Sequence, residues 1–107
     1  MASALGGQAS AGAGDVDLAR LLRALGDRTR LEAMRLLGEK PRSTQELARL
    51  IGLSEPAMSR HLRQLAAVGV LEGERRGHFV LYSVARDRLE QVSDLLLGYL
   101  AQDRQEP

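Results

Sequence analysis

The stretch Ser43–Leu65, STQELARLIGLSEPAMSRHLRQL, constrains the fold more than any other part of the chain. Ser43 and Glu46 stand in the S-x-x-E pattern that opens a helix, because each side chain can satisfy a free N–H of the first turn. Leu47, Leu50 and Ile51 follow as a buried face. Gly52 suits the left-handed backbone that closes a helix and turns the chain sharply. Ser54 then caps a second helix, and Pro56 is tolerated in its first turn. Met58, Leu62 and Leu65 recur at spacings of four and three, which sets them on one side. Ser59, Arg60, Arg63 and Gln64 fall on the other. Two short helices joined at Ile51-Gly52-Leu53, one packed as support and one with a polar face left free, predict a helix-turn-helix.

The flanking sequence supplies the remaining elements. A first helix is expected over Val16–Leu25, capped by Asp15 or Asp17, with Leu18, Leu21, Leu22 and Leu25 as its stripe and Gly26 as its end. Asp27 caps a second helix with Leu31, Met34, Leu36 and Leu37 inward, stopping at Gly38. Gly69 ends the fourth helix. Residues 70–74 and 78–84 read as two strands joined by the turn Glu74-Arg75-Arg76-Gly77. Asp87 and Glu90 repeat the capping pattern ahead of a last helix with Leu89, Val92, Leu96, Tyr99 and Leu100 on one side. The expected fold is mostly α (α+β), a winged helix-turn-helix in the order α-α-α-α-β-β-α. The domain covers residues 16–101, between a flexible Ala/Gly/Ser-rich tail (1–15) and a short C-terminal tail (102–107).

Composition narrows the chemistry. The chain has 107 residues and no cysteine, which excludes disulfides, thiolate metal sites and cysteine nucleophiles. No wholly apolar run, Leu95-Leu96-Leu97 among them, approaches the length needed to span a membrane. No export signal is evident, so a cytoplasmic location without membrane partners is expected. The glycine-rich start precedes no strand and lacks the lysine of a phosphate-binding loop, and no Ser-His-Asp context is visible. An enzyme is therefore not expected. A folded part of this size often gains stability from a second subunit.

The net charge of +1 is a weak footprint for nucleic acid, but its distribution is informative. Arg60, Arg63, Arg75 and Arg76 gather on the free helix and the hairpin tip. Ser43, Thr44, Ser54 and Ser59 can approach phosphates, and Pro56 and Ala57 are compact enough for the helix start to sit deep in a groove. Arg60 and Arg63 can neutralise phosphates or reach guanine bidentately. Glu55 either accepts from cytosine N4 or serves the helix N-terminus as a favourable charge. His61 is either a packing residue or a base contact. Arg75, Arg76 and His78 are either a solvated turn or a wing touching phosphate or the minor groove.

From Leu22 to about Leu100 the chain resembles the ArsR/SmtB family of bacterial winged-helix repressors. Leu25-Gly26-Asp27-Arg28-Thr29-Arg30-Leu31 is similar to the family's early Asp-Pro-Thr-Arg signature, with Arg28 in place of proline. Residues 53–62, LSEPAMSRHL, resemble its reading helix, and residues 77–82, GHFVLY, its second wing strand. The resemblance implies a homodimer built from the first and last helices, addressing an inverted-repeat DNA operator, with half-sites about 34 Å apart. Leu18, Leu21, Leu22, Leu25, Leu89, Val92, Leu96, Tyr99 and Leu100 would form that interface, although both stripes could instead close the monomer core.

The departures matter as well. Family metal sensors often carry Cys-x-Cys at the start of the third helix, where this chain has Ser43 and Gln45. The last helix has Asp87, Glu90 and Asp94 but no histidine, a poor zinc set. No metal and no cofactor are expected; an unidentified organic effector at the dimer interface remains open. The competing reading is a winged-helix protein-interaction module that does not read DNA, motivated by the low net charge, Glu55 and the glutamates of the first wing strand.

Overall fold

The helix-turn-helix forms where its capping residues place it. The computed structural model describes residues 10–102, with side chains from Asp17 onward. Helix α3 spans Thr44–Ile51 and α4 spans Glu55–Ala67. Ser43 Oγ accepts from the Glu46 N–H at 3.1 Å, and Ser54 Oγ accepts from the Ala57 N–H at 3.3 Å. Gly52 closes α3 at φ +87°, a left-handed conformation that costs glycine nothing. The capping box at Ser43 is only half built, because the Glu46 carboxylate turns to Arg42 instead. Ser43→Ala is expected to destabilise the fold by about 1 kcal/mol in a urea melt, the usual worth of such a cap.

The remaining elements are α1 (Ser10–Leu25), α2 (Arg28–Glu39), β1 (Arg42–Ser43), β2 (Leu71–Arg76), β3 (Phe79–Val84) and α5 (Arg86–Ala101). The sheet is antiparallel in the order β1-β3-β2. The two-residue strand β1, which pairs Arg42 with Tyr82 and Ser43 with Leu81, is too short to carry a sequence signal. One core joins the layers. Leu21, Ala33, Leu47, Met58, Leu62, Leu65 and Val70 are completely buried, and Leu37, Leu71, Tyr82 and Val92 close around them. Each large apolar side chain buried this way contributes about 1.5–3 kcal/mol.

Several boundaries and facings differ from expectation. Helix α1 begins at Ser10, six residues early; residues 1–9 of the expected tail and residues 103–107 lie outside the described residues. Gly38 sits inside α2, and the chain leaves the helix only at Lys40. Leu31 and Leu50 face outward, 54% and 50% exposed. Ala33 and Ala48 are buried in their place, because small side chains let the helices approach closely. Asp87 does not cap α5. Ala85 takes that position, tied back by its N–H to the Val70 carbonyl at 2.9 Å, and no side chain caps the helix.

The wing turn is tighter than the sequence implied. Arg76 pairs with Phe79 across the ladder, so the loop is only Gly77-His78, with Gly77 at φ +62°. Arg75 and Arg76 therefore belong to β2 and not to the turn.

Arg42 is the buried charge that the sequence pattern does not reveal. It is 8% exposed. Its Nε donates to the Leu36 carbonyl at 3.0 Å, Nη1 to Glu46 Oε2 at 2.7 Å and Nη2 to Glu39 Oε1 at 2.6 Å. One guanidinium thus ties the end of α2 to the start of α3 and sets where the helix-turn-helix sits.

Candidate nucleic-acid interface

Helix α4 is fixed from behind and open in front. Met58, Leu62 and Leu65 anchor it in the core with no exposed surface, while Glu55, Pro56, Arg60, Arg63 and Gln64 are exposed. Arg63 Nη1 donates to Ser59 Oγ at 2.5 Å, one turn earlier, which holds the guanidinium along the outer face of the helix. Pro56 adds no N–H to the first turn, so the N-terminal end is compact and positive by its dipole.

A groove of about 420 Å³ separates the start of α4 from the wing. Six residues singled out in the sequence meet there: Thr44, Glu55, Pro56, Ser59, Arg75 and His78. Gln45, Phe79 and Val80 complete its wall and were not foreseen. Phe79 is the only phenylalanine of the chain and is 48% exposed; an aromatic at a strand start reads as core until the sheet register turns it outward.

Strand alternation sorts the wing charges. Arg75 faces the groove with Gly73 and buried Leu71, whereas Glu72, Glu74 and Arg76 share the opposite face. Arg76 Nη2 there donates to Glu74 Oε1 at 3.3 Å. The two arginines expected to act together are thus split, and the glutamates of β2 point away from α4.

Three other candidates are already engaged by the fold. Ser43 and Ser54 spend their hydroxyls on helix caps. His61 is half-buried, its Nδ1 accepting from Arg30 Nε at 3.2 Å, which places it in the packing between α2 and α4. Arg30 also gives its backbone N–H to Asp27 Oδ1 at 3.0 Å. That hydrogen bond, helped by the Arg30 charge, holds the Asp27 carboxyl below its ordinary range.

The aliphatic stripes of α1 and α5 also divide. Leu18, Leu21 and Val92 are buried and Leu25 and Leu89 half-buried in the chain's own core. Leu22, Leu96, Leu97, Tyr99 and Leu100 remain 38–63% exposed. Arg88 Nη2 meets Asp17 Oδ2 at 3.4 Å, an ion pair that joins the two helices. Leu97, the most exposed of the group, was absent from the expected set.

Among the described residues no cluster of three His, Cys, Asp or Glu side chains could hold a metal ion, and no helix is long and apolar enough to cross a membrane. Residues 27–72 match the model of a family described as bacterial regulatory protein, arsR family. The chain is 39% identical over 72 residues to the transcriptional repressor SmtB of Mycobacterium tuberculosis, which covers 67% of this chain and 53% of the relative. It therefore spans about half the length of that relative. It is similar to an ArsR-like transcriptional regulator from Rhodococcus sp. RHA1 at 31% identity and a TM-score of 0.73, covering 84% of this chain and 86% of that one. It is also similar to a homodimeric winged helix-turn-helix DNA-binding domain from Mycobacterium bovis, at 27% identity and a TM-score of 0.68, covering 95% and 94%.

Proposed function

The chain belongs to the arsR family of bacterial regulatory proteins, and on that premise we propose that it is a homodimeric, sequence-specific DNA-binding repressor that occludes a promoter. One observation carries the reading: the free face of α4 and the wing enclose a shared groove lined by Arg75, Ser59 and Glu55. A DNA backbone strand seated in that groove leaves Arg60 and Arg63 turned toward base edges in the major groove. Glu55 lines that groove at the helix start, where its carboxylate serves the positive N-terminal end of α4.

The exposed leucines and Tyr99 on α1 and α5 supply the second half of the proposal. A monomer gains nothing from holding Leu22, Leu96, Leu97, Tyr99 and Leu100 in water, and a second copy covers them by two-fold symmetry. Two reading helices then address an inverted-repeat operator. The chain has no cysteine, so regulation through the thiolate metal site of its relatives' family is not part of the proposal, and no catalytic role is assigned.

The wing test is specific. Arg75→Ala is expected to weaken binding about equally on operator and unrelated duplexes and to make the salt dependence shallower by roughly one unit for each phosphate it no longer neutralises. Arg76→Ala, whose guanidinium is paired with Glu74, is expected to do less. Fluorescence anisotropy at several salt concentrations reads both; a larger effect from Arg76 would place DNA on the other face of the wing.

A further inference from the structure

A second basic groove lies on the opposite flank of α4. It has a volume of about 290 Å³ and is lined by Arg20, Arg23 and Ala24 of α1, Arg30 of α2, and Gln64, Ala67 and Val68 at the end of α4. Among the described residues, Arg20 and Arg23 have no hydrogen-bond or ion-pair partner. Arg30 is held in place by its bonds to the Ala24 carbonyl at 3.2 Å and to His61 Nδ1; among the described residues its Nη2 has no partner. Three guanidinium groups thus converge without a carboxylate among the groove's lining residues.

Helix geometry says what this arrangement faces. At 3.6 residues per turn, Glu55 and Ser59 lie on one flank of α4, Gln64 and Val68 on the other, and Arg60, Arg63 and Ala67 between them. A helix with its side chains is about 10–12 Å across, and the major groove is about 12 Å wide. A seated helix therefore has a phosphate strand along each flank. The wing groove takes one strand. We propose that Arg20, Arg23 and Arg30 form a clamp for backbone phosphates of the other strand, so that α1 binds DNA as well as packing in the core.

This inference rests on the DNA-reading proposal, and the test separates the two. Wild-type dimer is titrated by anisotropy against its operator duplex and a scrambled duplex over a range of salt, beside Arg20→Gln/Arg23→Gln and Arg20→Lys/Arg23→Lys. Both positions are exposed, and circular dichroism with sedimentation checks that each variant is a folded dimer. The glutamine pair is expected to lose about tenfold or more in affinity on both duplexes, with a salt slope shallower by about 0.9 for each phosphate left unneutralised. The lysine pair should keep the wild-type slope. A glutamine variant that stays folded and dimeric with an unchanged slope overturns the clamp and leaves the DNA proposal standing. Calorimetric binding of inorganic phosphate that is abolished in the glutamine pair, with DNA binding unaltered, also overturns it and makes the groove a free-anion site. If wild type binds neither duplex, the DNA proposal itself fails and the clamp with it.

Discussion

Replacing Arg60 and Arg63 together with alanine is expected to lower operator affinity about a thousandfold while the chain remains folded and dimeric. Both side chains are exposed on α4, and neither supports the core. A dimer presents four such arginines. At about 1 kcal/mol each, the low end for a guanidinium reading a guanine edge, the loss is about 4 kcal/mol, or roughly three powers of ten. The loss on unrelated duplexes should be smaller, because only the phosphate share of these interactions is common to all sequences. Anisotropy titrations on both duplexes measure the difference. Unchanged operator affinity in a folded variant would mean that α4 is not the reading element.

The second large effect concerns assembly. Leu97→Asp with Leu100→Asp is expected to convert the protein to a monomer at micromolar concentration. Leu97 is 63% and Leu100 58% exposed, so neither substitution opens a cavity in the chain's own core. In a dimer each aspartate would be buried without a partner, a cost that apolar packing of this size cannot offset. Operator affinity should then fall about a hundredfold or more, since the second half-site no longer binds as an intramolecular event. Sedimentation equilibrium gives the association state directly. A dimer that persists in this variant would place the interface elsewhere and return the α5 leucines to some other partner.

The helix-turn-helix was legible because its signals are local. Serine caps, Gly52 and the Met58-Leu62-Leu65 spacing act within one or two turns, and the structure places them as read. Signals that depend on distant partners were not legible. Whether Leu31 or Ala33 faces the core is decided by how closely α2 meets its neighbours, and periodicity favoured the larger residue. Arg42 reads as one more surface arginine until β1 pairs with β3 and brings its guanidinium under the Leu36 carbonyl. The wing shows the same limit: with the loop confined to Gly77-His78, Arg75 and Arg76 move from a turn to opposite faces of a strand. The candidate site was foreseen as a set of residues, but its division into a wing groove, a base-facing row and an arginine groove on the far flank came only from the packing of α1, α2 and the wing around α4. The separation of the α1 and α5 stripes into core and exposed halves likewise required the tertiary contact between those helices.

The most direct test of DNA reading is a footprint of the DNA upstream of the chain's own coding sequence, taken at moderate salt with and without zinc. The expected result is protection of two half-sites related by a dyad, their centres about one helical turn or roughly 34 Å apart, with the same pattern in both conditions. Release of the DNA by zinc would contradict the absence of a metal sensor. No protection at any salt concentration, from a protein that is still a dimer, would contradict the DNA-reading claim and leave a winged-helix interaction module in its place.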